Sequence, residues 1–99
     1  MRRILYHVEA RMEVLEIVEY YESKGGPQLA DLFTSELKRY IESLAERPES
    51  YGLQIGSLRR ANLNRFPYHV LFRIVDDETI KIIAVKHNRR RPGYGTRIK

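Results

Sequence analysis

A Gly25-Gly26-Pro27 triplet divides residues 9–46 into two stretches with the same helical apolar spacing, and that break constrains the chain more than any other feature. Before it, Ala10, Val14, Ile17, Val18 and Tyr21 recur at the intervals of one helix face while Glu9, Glu13 and Glu16 take another, which predicts an amphipathic helix over 9–23. After it, Leu29, Phe33, Leu37, Tyr40, Ile41 and Leu44 continue the spacing and predict a second helix over 28–46, stopped by Pro48. Glycine supplies the left-handed backbone that closes a helix, and proline is tolerated in the first turn of the next, where its missing N–H has no intrahelical partner. So short a link favours an antiparallel hairpin. Its apolar faces need a sheet to cover.

The rest of the chain has the period of strands. Ile4, Tyr6 and Val8 mark an opening strand. Beyond a loop over Pro48–Gly56, Leu58-Arg59-Arg60-Ala61-Asn62-Leu63 reads as a strand, and Asn64-Arg65-Phe66-Pro67 as a bend in which Pro67 holds Phe66 extended. Tyr68, Val70, Phe72 and Ile74 then alternate with His69, Leu71, Arg73 and Val75. After the acidic turn Asp76-Asp77-Glu78, Ile80, Ile82 and Ala84 alternate with Lys81, Ile83, Val85 and His87. Both faces are apolar at mid-strand, so the helices cover one and a partner is expected over the other. The expected fold is α+β: an N-terminal strand (1–8), an antiparallel helical hairpin (9–47), and a three-stranded antiparallel segment (57–87) forming one sheet packed on the helices. A basic tail (88–99) with Pro92, Gly93 and Gly95 follows, and 99 residues suit one domain.

Charge is divided unevenly. Residues 1–50 carry a balance of −3 and residues 51–99 one of +8, so an acidic or phosphate-rich partner is expected at the second half. No apolar run approaches the roughly 20 residues of a membrane span, and the opening residues lack a signal peptide's apolar stretch, so the expected location is the cytoplasm. The chain has no cysteine, which excludes thiolate nucleophiles and cysteine zinc sites. His7, His69 and His87 lack metal-ligand spacing, and no P-loop or nucleophile elbow is present, so neither metal nor cofactor is expected. What remains is a basic set: Arg59, Arg60, Arg65, Arg73, Lys81, His87 and the run Arg89-Arg90-Arg91, with Tyr94 able to stack on a ring. Several of these cations can line one surface; the competing reading puts Arg59 and Arg60, being adjacent, on opposite sheet faces with at least one paired to helix glutamates.

Three segments resemble the RelE/ParE superfamily of bacterial toxin–antitoxin toxins. They are Tyr20-Tyr21-Glu22 with Leu29-Ala30-Asp31-Leu32-Phe33 and Glu36-Leu37, then Arg60 through Arg65-Phe66-Pro67-Tyr68-His69-Val70-Leu71-Phe72, then Ile82 through Val85-Lys86-His87-Asn88-Arg89-Arg90-Arg91-Pro92. The resemblance implies a growth-inhibiting type II toxin neutralised by a cognate antitoxin protein. ParE-like members inhibit DNA gyrase; RelE-like members cut mRNA on the ribosome with basic and aromatic residues. Where a RelE-like enzyme has lysines on the strand at 58–63, this chain has Arg59 and Arg60, and arginine cannot take up a proton near neutral pH. His87 remains as a base, with Arg65 beside it in the RelE-like reading, but Asn88 follows it where some members have an aromatic residue. Tyr94-Gly95 stands where the family often has Tyr-Trp. The ParE-like reading is therefore favoured. Arg59, Arg60, Arg89, Arg90, Arg91 and Tyr94 are then the residues expected to meet the target. The alternatives are the ribosome-dependent endonuclease and an inactive homologue kept as a binding partner.

Overall fold

The computed structural model describes residues 1–89. β1 (Arg3–Tyr6) leads into α1 (Val8–Glu46), and a 3₁₀ turn over Pro48–Ser50 returns the chain to β2 (Leu53–Ile55), β3 (Leu58–Asn62), β4 (Tyr68–Asp76) and β5 (Thr79–His87). The strands form one sheet in the order β1-β5-β4-β3-β2, with β1 parallel to β5 and the other neighbours antiparallel. Among the described residues no helix is long and apolar enough to cross a membrane.

α1 breaks where the sequence says it must. Gly26 has φ 76° and ψ −175°, a conformation that is essentially confined to glycine because a Cβ would clash there. A Cβ on Gly25 would lie 2.7 Å from Cδ2 of Leu29. The two arms turn back on each other. Tyr21 meets Phe33 at 5.6 Å between ring centroids. Farther from the break, Arg11, Val14 and Leu15 share a groove with Leu37, Lys38 and Ile41. Ile17, Leu37, Ile41 and Leu44 join Val70, Phe72, Ile80, Ile82 and Val85 in one core, so the hairpin covers one face of the sheet as expected.

The details depart from expectation at three places. β1 is shorter than residues 1–8 because His7 caps the helix: its Nδ1 accepts the Glu9 N–H at 3.1 Å, satisfying a donor that the first turn leaves over. The expected loop over 48–56 contains β2, which turns into β3 at Gly56 with φ 56°. Leu53 and Ile55 are 62 % and 71 % exposed, so no burial pattern betrays that strand. In β5, Leu71 pairs with Ala84 but Phe72 with Ile82, which leaves Ile83 as an extra residue. Such a bulge shifts the alternation by one. Ile80 and Ile82 share one face as read from the sequence, and it is the one toward the helices, but beyond the bulge Val85 and His87 take that face and Ala84 the other.

Candidate functional site

The Phe66-Pro67-Tyr68 motif is built into the fold. Phe66 and Tyr68 both turn inward, and their rings stand 5.4 and 5.8 Å from Phe33 and 5.1 and 6.2 Å from Tyr21, mostly edge to face. That arrangement sets positive ring edges against negative faces. The bend before them is held by Glu36, only 3 % exposed, whose Oε2 accepts the N–H groups of both Asn64 and Arg65 at 2.8 Å. Burial, then the neighbouring hydroxyls of Tyr68 and Tyr20, push the Tyr21 phenol up to about 12. It stays neutral at physiological pH.

His87 stands at the end of β5 opposite Tyr68, with ring centroids 5.0 Å apart. The two line a cleft of about 290 Å³ with Glu13, Glu16, Ile17, Tyr20 and Lys86. The Nδ1 of His87 accepts the Arg89 N–H at 3.0 Å, which assigns the ring proton to Nε2. The glutamate face of α1 is used here. β1 stops at Tyr6, leaving the upper edge of β5 without a strand partner, and Glu13 fills that place. Its Oε1 accepts the Val85 N–H at 2.8 Å while Oε2 pairs with the Lys86 ammonium.

Among the described residues no helix covers the opposite face of the sheet, and that face is basic. Because Val70 and Phe72 point to the core, Leu71 and Arg73 point away from it. One row across this face runs Arg60, Leu71, Ala84, and the next runs Arg73, Lys81, Leu5. Arg73 and Lys81 are direct cross-strand partners, a repulsive pairing. Among the described residues neither has a carboxylate within salt-bridge reach.

The candidate residues are thus dispersed. Arg60 lies on the basic face, its Nε donating to Asn62 Oδ1 at 2.9 Å. Arg59 takes the other face and donates to the Tyr51 carbonyl at 2.6 Å. Arg65 is exposed on the bend and Arg89 exposed after β5, whereas Arg90, Arg91 and Tyr94 lie outside the described residues. Asn88 belongs to the fold rather than to the tail, since its N–H donates to the Pro67 carbonyl at 2.8 Å. Sequence reading gave Glu13 no role of its own, because a helix stripe of glutamates carries no sign of which members turn inward, and Glu36 entered it only as part of the family resemblance.

His69, also passed over, is 8 % exposed and shares a 2.8 Å hydrogen bond between its Nδ1 and Asn88 Oδ1. Burial holds its pKa below the usual 6.5, opposed by the Asn88 bond and reinforced by the charges of Arg60, Lys86 and His87. As pH falls through 6.5 the unfolded chain takes up this proton before the folded one. Stability is therefore full above that value and declines below it, levelling once the folded group also titrates. Urea midpoints between about pH 7.5 and pH 5 are expected to fall more steeply for the native chain than for His69→Asn, whose amide keeps a donor toward Asn88. Equal slopes would contradict the assignment.

Known proteins share this architecture. A family model described as the ParE toxin of the type II toxin–antitoxin system parDE matches residues 4–92. Among solved structures, the chain is similar to a chromosomal ParDE toxin–antitoxin system from P. aeruginosa at 19 % identity and TM-score 0.75, over 88 % of this chain and 96 % of that one. It is similar to the isolated E. coli RelE toxin at 17 % identity and TM-score 0.61, over 99 % and 96 %. The intact E. coli RelBE toxin–antitoxin complex matches at 16 % identity and TM-score 0.60, over 88 % and 96 %. No curated protein sequence matches the chain.

Proposed function

The chain belongs to the ParE toxin family of type II toxin–antitoxin systems, and on that premise we propose that it acts in the cytoplasm by inhibiting DNA gyrase and is neutralised by a cognate antitoxin protein. The observation that carries the gyrase reading is the separation of His87 from Arg60, Arg73 and Lys81. Cutting RNA needs a proton acceptor and phosphate-binding groups within reach of one scissile bond. His87 faces the helices, packed against Tyr68, with its Nδ1 lone pair engaged by the Arg89 N–H. Arg60, Arg73 and Lys81 face the other way. Arginine on β3 binds anions but cannot exchange a proton at neutral pH. A surface that grips a protein target needs only the cations. An antitoxin is supported by the family and by the sheet face opposite the helices, over which none of the described elements packs.

Purified protein is expected to block gyrase supercoiling and to leave ribosome-bound mRNA intact. Replacing His87 with alanine should change inhibition little, because no proton moves, whereas charge reversal at Arg89, Arg90 and Arg91 together should weaken it. Ribosome-dependent mRNA fragments, slowed about 10²–10⁴-fold by His87→Ala, would overturn the gyrase reading in favour of the endonuclease. Unimpaired growth and supercoiling with soluble folded protein would instead point to an inactive homologue.

A further inference from the structure

We infer that the cleft beside His87 is a receptor for an arginine side chain presented by a partner polypeptide, with the guanidinium on the Glu16 carboxylate and against the Tyr20 and Tyr68 rings. The cleft holds about 290 Å³, just below the roughly 300–1,000 Å³ of small-molecule sites, so it suits one side chain rather than a cofactor. Its two acids, Glu13 and Glu16, stand three residues apart on one side of α1 but are differently employed. Glu13 is engaged by β5: its Oε1 accepts the Val85 N–H and its Oε2 pairs with Lys86, which neutralises the ammonium on the cleft wall. Among the described residues Glu16 has neither an ion pair nor a side-chain hydrogen bond. Its carboxylate is the charge that the cleft offers a ligand.

The rings narrow the choice of cation. Tyr20 already draws one, since the Lys24 ammonium lies 5.6 Å from its ring centroid. Tyr68 is held edge to face by His87 at 5.0 Å and Tyr21 at 6.2 Å, so its ring is set before any ligand arrives. An ammonium is a compact and strongly hydrated charge, whereas a guanidinium is planar, stacks on rings and forks onto a carboxylate. Aromatic walls with one free carboxylate therefore favour arginine over lysine. A third group favours an arginine carried in a peptide: the His87 ring proton sits on Nε2, without a partner among the described residues, and the arginine's own peptide carbonyl supplies an acceptor. Anions are disfavoured, because two carboxylates line the cleft against the single ammonium of Lys86. The inference goes beyond the gyrase reading and does not depend on which target the toxin acts on.

The test titrates N-acetyl-arginine amide into the isotope-labelled chain and follows the backbone amides by NMR, with the lysine and citrulline amides in parallel. Citrulline keeps the planar shape and loses the charge. Shifts are expected to concentrate at Glu16, Tyr20, Tyr68 and His87, with the arginine probe bound about tenfold more tightly than citrulline and about threefold more tightly than lysine. Glu16→Gln should weaken arginine binding about tenfold and Tyr20→Leu about fivefold. Both side chains are exposed, so neither variant disturbs the core. Glu19→Gln, at an exposed acid of the same helix outside the cleft, should change nothing. Shifts centred elsewhere, equal binding of citrulline or lysine, an equal loss in Glu19→Gln, or no shift at all would each overturn the inference. Arg90→Gln with Arg91→Gln tests the other source of a guanidinium. Binding unchanged in that variant supports a partner's arginine, whereas binding that appears or tightens only there would assign the cleft to the chain's own tail and overturn the inference. No arm reads supercoiling, so a chain that leaves gyrase untouched while binding the arginine probe fails the first reading and keeps this one.

Discussion

Replacing Phe33 with alanine is expected to cost the fold about 3–5 kcal/mol, the usual span for emptying a buried phenyl site. Phe33 is fully buried, and its ring touches Tyr21 from the other helical arm and Phe66 and Tyr68 from the sheet side. Its loss therefore opens a cavity at the one place where hairpin, bend and β4 meet, and the neighbours are too constrained to fill it. Native chains of this kind hold only about 5–15 kcal/mol in total. In a domain of this size the Tm should fall by roughly 15–30 °C. The adjacent Leu32, 51 % exposed, serves as control: its alanine variant should stay within about 0.5 kcal/mol of the native chain. A Phe33→Ala loss below about 1 kcal/mol by urea unfolding would mean that the aromatic cluster is not what joins these elements.

The second large effect is expected at Glu36. Its Oε2 alone accepts the N–H groups of Asn64 and Arg65, each at 2.8 Å, inside a site closed to water on the helix side. The Arg39 guanidinium, 72 % exposed, reaches only 4.0 Å from the other oxygen and adds little. Alanine removes both charge-assisted bonds and leaves two donors to find solvent, at a cost of about 2–4 kcal/mol. Glutamine keeps an acceptor oxygen where both donors converge, so Glu36→Gln should lose no more than about 1 kcal/mol. Circular dichroism melts of the two variants compare them directly, and similar losses for both would show that charge, not the shared acceptor, holds the bend.

These two residues also explain what could be read from the sequence. The spacing of Leu29, Phe33, Leu37 and Ile41 identified a helix, and Gly25-Gly26-Pro27 its reversal, because burial on one face leaves a period that a reader can count. The motifs behind the family resemblance, Tyr20-Tyr21-Glu22, the Phe33–Leu37 stretch and Phe66-Pro67-Tyr68, meet one another in space as the aromatic cluster and the Glu36 clamp. They specify the fold. The candidate site was less legible, because which face a charged strand residue takes depends on register. A single bulged residue at Ile83 carried His87 to the helix side, and no pattern of residue types announces a bulge. β2 was invisible for the opposite reason: three exposed residues bury nothing and so leave no alternation to count.

The pairing of β1 with β5 also bears on the order in which the protein is born. Ile4 lies beside Ile80 and Tyr6 beside Ile82, so the first strand synthesised is partnered only by the last. Contacts so distant along the chain must wait for their loop to close, and they slow folding accordingly. On the ribosome, β1 and the helical arms are synthesised before β5. The nascent chain therefore has no sheet on which to assemble the row of cations, which forms only after translation has passed His87. The row of cations is thus withheld from each molecule until its synthesis is nearly done.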